Sequence, residues 1–255
     1  MPIDTHSGAV EGFHLLPAIE HAIKDNFDGV QLYINNDILD PVIFEQIVNR
    51  LLESNLTNVI FHLPNFDKVK ARPEYIQAVE ALVSRLPNTI RWHALIHLGY
   101  GEKGAEVNIK YSQLQMQVAG RAICIENSLT GVYNTQHVIQ AASLARSLGS
   151  GFVFDIGRIL YPNEKGEINE EEVYRFILGV ISTMKPDTDI IHTAGKLSWG
   201  KTFRESACAF GAEGDITFPL RDAILEFHQK GGIVVFEHED QQMILKSREN
   251  LLKEA

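Results

Sequence analysis

Cysteine is nearly missing from this chain. Two residues, Cys124 and Cys208, in 255 positions supply neither a disulfide framework nor a paired-cysteine metal motif. They point to a reducing compartment, the cytoplasm by default. Long hydrophobic runs are missing too: no stretch of about 18 or more apolar residues occurs. Residues 1–10 carry no signal-peptide core, so no membrane association is expected. Positive charge is in deficit, with 23 Lys and Arg against 33 Asp and Glu and a net charge of -10. A surface built to neutralise phosphates needs the reverse balance, which makes nucleic acid an unfavoured partner. Low-complexity segments, a fixed-period repeat and a linker-like break in composition are also absent. With 45% hydrophobic and 22% charged residues, the chain reads as one domain over 1–255.

What is present is a regular alternation. Short apolar runs, read as strands, cover 3–6, 30–34, 58–63, 90–98, 122–125, 151–155, 189–192 and 233–236. Between them lie segments with apolar residues at helical spacing: 13–26, 42–52, 73–86, 135–148, 170–184, 220–229 and 241–252. A further helix is expected over 111–120, and 193–217 reads as a long loop. Pro41 suits a first helical position, and the acids after Asn169 suit a helix N-terminus. Eight strand–helix units without interruption imply parallel strands joined by right-handed crossovers, and the length fits a (β/α)8 TIM barrel better than an open doubly wound sheet.

In such a barrel the C-terminal strand ends meet at one mouth, where chemistry is built. The residues at those ends are His6, Asn35 or Asn36, His62, His97, Glu126, Asp155, His192 and Glu237. All but the second are His, Asp or Glu. Imidazole nitrogens and carboxylate oxygens converging on one mouth suit a divalent ion such as Mn, Zn, Co or Fe, one or two per chain. A carboxylate in the middle of the set can bridge two ions, and two carboxylates flanking a substrate can act as acid and base.

Each of these residues has a plainer alternative. Glu126 can serve as the partner of a neighbouring cation, Asp155 as a loop cap, and His192 as a satisfied core histidine. Glu237, followed by His238, Glu239 and Asp240, can belong to a solvated helix start. His93 shares the parity of His97 and is expected to pack in the core. Cys124 is expected to act as a small buried hydrophobe. Trp92 is expected to pack outward against a helix, and Trp199 to wall a substrate pocket from the mouth loop. His14, His21, His137 and His228 are expected at the surface. The GAEGD turn is a weak phosphate signal.

The motifs at the strand ends resemble the endonuclease IV / xylose isomerase-like superfamily of TIM barrels. The opening THSGAVEG resembles that family's His-x-Ser start. FHLPN and IHLG resemble its two His-containing metal segments, and IENSLTG its Glu-Asn-Thr-x-Gly. FDIGR, IHTAGK, GAEGDI and FEHED resemble its later strand-end motifs. The resemblance implies that His62, His97 and Glu126 hold one metal and that Glu126, Asp155, His192 and Glu237 hold a second, with Glu126 bridging. The latter four match the set that sugar isomerases and epimerases of this superfamily use for one ion, with Glu126 and Glu237 as the acid/base pair. Two departures stand out. Arg158 replaces a third-metal His, and the remaining third-metal positions fall on Ser206 and Cys208.

These departures, and the acidic balance, favour a metal-dependent isomerase or epimerase of a small sugar or sugar phosphate, with His6, Arg158, Lys196 and Trp199 as substrate-binding residues. Lys201 and Arg204 lie in the same loop and can meet a phosphate or hydroxyls. Two other readings remain: an endonuclease IV-like phosphodiesterase acting at abasic DNA, and a non-catalytic metal- or ligand-binding barrel. Oligomerisation is common among the isomerases, so a homo-oligomer is an expectation by analogy.

Overall fold

The computed structural model describes residues 3–6, 11–64, 72–97, 117–127, 135–159, 169–196, 207–212, 214–238 and 240–253. Eight parallel strands close a barrel: β1 (Ile3–His6), β2 (Gly29–Tyr33), β3 (Asn58–His62), β4 (Arg91–His97), β7 (Cys124–Glu126), β8 (Phe152–Asp155), β9 (Ile190–Thr193) and β12 (Ile233–Phe236). They follow one another round the ring in chain order, and β12 closes onto β1. Among the described residues seven helices alternate with them: α1 (Leu15–Lys24), α2 (Pro41–Glu53), α3 (Glu74–Val83), α4 (Thr135–Ser147), α5 (Glu170–Thr183), α6 (Arg221–Gln229) and α7 (Gln241–Leu252).

The helix starts follow from local chemistry. Asp40 accepts hydrogen bonds from the Val42 and Ile43 amides at 2.8 and 3.1 Å, with Pro41 in the first turn of α2. Asn169 accepts from Glu172 N at 3.2 Å ahead of three acidic residues in the first turn of α5. Asp240 accepts from Gln242 N at 2.7 Å at the head of α7.

Side chains alternate across a strand, and that period places the site. Ile60, Leu95, Cys124, Val153, Ile190, Ile233 and Val235 form an apolar plug inside the ring. His62, His97, Glu126, Asp155, His192 and Glu237 each follow a plug residue by two positions, so each points inward one layer nearer the mouth. Register aligns the layer: Tyr33 pairs with His62, His97 with Glu126, and Asp155 with His192. The larger apolar cluster lies outside the ring, beneath the helices.

Several expectations are corrected. The helix expected over 111–120 is not formed at its described end: β5 (Gln117–Val118) and β6 (Arg121–Ala122) make an antiparallel hairpin instead, while 111–116 lie outside the described residues. Ala122 belongs to that hairpin, so the barrel strand begins at Cys124. The loop over 193–217 contains a second hairpin, β10 (Gly195–Lys196) with β11 (Ala207–Cys208). The first helix starts at Leu15, after a short 3-10 turn, Glu11–Phe13. His137 and His228 are buried, not at the surface. His137 shares an inner helix face with Ala141 and Ala145, and His228 with Ile224 and Phe227. Cys124 is buried as expected, and its thiol is pushed up to about 11 by burial. Trp92 packs against the outer core under the Arg121 guanidinium. Among the described residues no helix is long and apolar enough to cross a membrane.

Candidate metal centre

Two groups of donors meet at the mouth. His62, His97 and Glu126 bring one ligand atom each within 4.8 Å of one another, and so do Glu126, His192 and Glu237. Glu126 belongs to both. It comes from β7, the shortest barrel strand, and is fully buried among residues of β3, β4 and β9. Its Oε2 lies 3.1 Å from His97 Nε2 and 3.4 Å from His62 Nε2, and its Oε1 lies 3.3 Å from His192 Nδ1. His192 Nδ1 is also 3.1 Å from Glu237 Oε1.

The tautomers follow from the partners. His62 Nδ1 is 3.1 Å from the Leu63 carbonyl oxygen, which only accepts, so Nδ1 carries the proton and Nε2 presents its lone pair. That lone pair faces His97 Nε2 at 3.1 Å and a carboxylate oxygen beyond it. Two acceptors so close repel unless a proton or a cation lies between them. Here the His97 Nε2 proton does that work. A metal ion would take the same place, with the His62 ring already oriented by its second nitrogen.

The charges agree with this arrangement. Burial disfavours ionised Glu126, but the imidazoles of His97 and His192 outweigh it and hold its carboxyl well below the usual range. Burial also acts against protonated His192, yet the Glu237, Glu126 and Asp155 carboxylates raise it to about 9. His97 is raised by Glu126 against the opposing effect of burial, whereas burial lowers His62. A protonated His192 therefore places positive charge beside the Glu126, Glu237 and Asp155 carboxylates. His192 Nε2 and Asp155 Oδ1 are buried and have no hydrogen-bond partner among the described residues. Donor types, spacing and these orphaned atoms all fit a divalent ion.

Asp155 occupies the same layer but is not in either donor group. Its Oδ2 takes a 2.7 Å ion pair from Arg158 Nε, and burial pushes the carboxyl up to about 6 despite that cation. Asn127 clamps its backbone, donating from Nδ2 to Asp155 O and accepting from Asp155 N, both at 2.9 Å. Arg158, on the 3-10 turn Ile156–Arg158, thus stands beside the donors. Lys196 is buried, and burial lowers its ammonium to about 8 against the pull of Asp155. His6 ends β1 at the mouth, but its side chain lies outside the described residues, as do Trp199, Lys201 and Arg204.

Two residues of the candidate site escaped sequence reasoning. Tyr33 Oη and Gln31 Nε2 both donate to Glu237 Oε1, at 2.8 and 2.9 Å. The Tyr33 ring lies 4.3 Å from the His62 ring. The signal was the alternation in VQLY, which turns Gln31 and Tyr33 inward together, but neither is a usual ligand type. The GAEGD run also has another purpose. Asp215 accepts from the amides of Lys196, Gly211 and Thr217 at 2.7, 2.9 and 3.0 Å, and from the Thr217 hydroxyl. It is the staple of the β10–β11 loop.

An eight-stranded α/β barrel with a histidine–carboxylate centre at its mouth defines the class. No family model and no curated protein matches the chain in sequence. Among solved structures, endonuclease IV from Thermus thermophilus matches with a TM-score of 0.66 at 14% identity, covering 100% of both chains. A xylose isomerase domain containing protein from Salmonella typhimurium matches with a TM-score of 0.57 at 14% identity, over 98% of this chain and 92% of that one. D-psicose 3-epimerase from Clostridium cellulolyticum, solved with D-tagatose, matches at 0.54 and 14% identity, over 98% and 96%. The chain has the xylose isomerase-like TIM-barrel fold.

Proposed function

We propose that the protein is a divalent-metal-dependent isomerase or epimerase of a small sugar or sugar phosphate. The observation that carries this reading is the pair of glutamates set on either side of one imidazole: His192 Nδ1 lies 3.3 Å from Glu126 and 3.1 Å from Glu237. His62, His97 and Glu126 would hold one ion, and Glu126, His192 and Glu237, with Asp155 beside them, a second. A bound divalent ion supplies Lewis acidity, polarising adjacent substrate oxygens and acidifying the C–H between them. One glutamate takes the proton from carbon, and the other returns one to the substrate. Tyr33 and Gln31 fix the plane of Glu237 through its Oε1. Arg158 and Lys196 place positive charge beside Asp155 for substrate hydroxyls or a phosphate.

The test is a panel of ketoses, aldoses and their phosphates, run in D2O with Mn, Co or Zn. The expected result is deuterium incorporation at one substrate carbon, reduced about 100-fold or more in Glu126→Gln and Glu237→Gln. Elemental analysis of protein purified without chelator should find one or two ions per chain. No turnover across the panel refutes the isomerase reading.

A second reading is a phosphodiesterase acting at abasic DNA. It is favoured by the second donor group, His62–His97–Glu126, which would allow a two-ion centre, and by the end-to-end fold likeness to an endonuclease IV. The net charge of -10 weighs against it. Incision of an abasic duplex at low salt, abolished by EDTA and by Glu126→Gln, would establish it in place of the first.

A further inference from the structure

We propose that Phe13 is a substrate-stacking residue whose ring receives the apolar C–H face of a sugar at the barrel mouth. The inference rests on the sugar reading above.

Phe13 is 44% exposed, although burying a phenyl ring is among the larger gains a side chain can offer. Its backbone is left-handed, with φ 56 following Gly12 at φ 74. A bulky residue there is strained, and such strain persists only where surrounding contacts enforce it. They do so here. Asn35 Nδ2 donates to the Phe13 carbonyl at 2.9 Å. Asp37 Oδ2 accepts from Leu15 N at 3.1 Å and lies 3.1 Å from His14 Nδ1. Asn35 Oδ1 in turn accepts from Asp37 N at 2.8 Å. The segment after β2 therefore holds the Phe13 carbonyl and the two residues that follow it.

That position leads into the donor cluster. The Phe13 ring stands edge-on to Tyr33, with centroids 5.6 Å apart and planes at 84°. Tyr33 lies against His62 and donates to Glu237. A line of rings thus runs from solvent to the donors, apolar at its outer end and hydrogen-bonding at its inner end. A sugar has the complementary shape, with C–H groups on one face and hydroxyls round its edge. Pockets for such ligands combine an aromatic wall with a few placed polar groups.

The experiment measures binding of D-fructose and D-tagatose to the zinc-loaded full chain by saturation-transfer NMR and calorimetry. Wild type should show transfer from aromatic protons to sugar C–H protons, and Phe13→Trp should keep it. Phe13→Leu should weaken affinity about tenfold, which corresponds to about 1.4 kcal/mol, with zinc content unchanged. Phe13→Gly removes the ring and the left-handed strain together, so it should lose affinity without lowering the thermal midpoint. A ring that only packs against Tyr33 would give a lowered midpoint and unchanged affinity, and that result overturns the proposal. So does wild-type affinity in Phe13→Leu. Failure of the wild type to bind either sugar defeats this inference and the sugar reading together. Binding by wild type that no Phe13 variant alters defeats this inference alone.

Discussion

Asp4 sits on β1 facing inward, in register with Val235 of the plug, and is fully buried, with neither carboxyl oxygen hydrogen-bonded among the described residues. Gly29 opposite leaves it room: a Cβ there would lie 2.7 Å from Asp4 Oδ1. Burial raises the carboxyl well above its ordinary value, and Asp28 adds to this, while Arg91 offsets only part. A folded-state pKa above the unfolded one means that the native state favours the protonated form. Its contribution to stability is fully present below the unfolded value of about 4 and is lost as pH rises through the folded value. Asp4→Asn keeps the shape and removes the titration. Its free energy of unfolding should therefore gain on wild type between pH 4 and pH 8, by about 1–3 kcal/mol at the upper end. Parallel wild-type and Asp4→Asn profiles across that range would show that the carboxyl does not titrate there. At the mouth the same physics runs in the opposite direction. Glu126 is equally buried, yet imidazoles on two sides keep it ionised. The difference between a cost and a site lies in the partners, not in burial.

The loop between β9 and α6 is organised by one side chain. Gly195 passes so close to β11 that a Cβ would meet the Cys208 carbonyl oxygen at 2.2 Å, so only glycine fits the hairpin. Gly211 and Gly214 adopt φ 68 and 83 around Asp215, whose carboxylate gathers three backbone amides and one hydroxyl. Asp215→Ala leaves buried donors without acceptors and should cost about 3 kcal/mol or more in urea unfolding. It should also free the strand that carries Lys196. Most barrel strands were legible from sequence because an apolar inner position, at Ile60, Leu95, Cys124, Val153, Ile190 or Val235, stands two residues before a residue of ligand chemistry. The β5–β6 hairpin was not. Its two turn residues, Ala119 and Gly120, have φ 47 and 77, as a two-residue type I′ turn requires. Alanine stands where Asn, Asp or Gly would have announced it. His137 was legible and misjudged: it lies four residues from Ala141 and eight from Ala145, on the inner face of α4. Asp155, a ligand by the family resemblance, lies in the layer of the donors, and the chain puts Arg158 on one of its oxygens.

At the scale of the molecule, the two donor groups tie together β3, β4, β7, β9 and the residue after β12. An ion held there binds the folded state alone, and ligand linkage makes that binding a stability term of about 4 kcal/mol at a thousandfold excess over its dissociation constant. Removal with EDTA should accordingly lower the thermal midpoint, and Zn or Mn should restore it. A midpoint insensitive to chelator and to added metal would speak against an ion at this centre. The donors are spread along the chain from His62 to Glu237, and no two come from neighbouring turns of one element. The ring must close before they share a space. An ion should therefore leave the refolding rate almost untouched and act on the unfolding rate, because its contacts are missing from the barrier and present only after it. Double-jump kinetics with and without metal would read this directly. On that expectation the centre is the last thing the chain assembles and the first thing it must break.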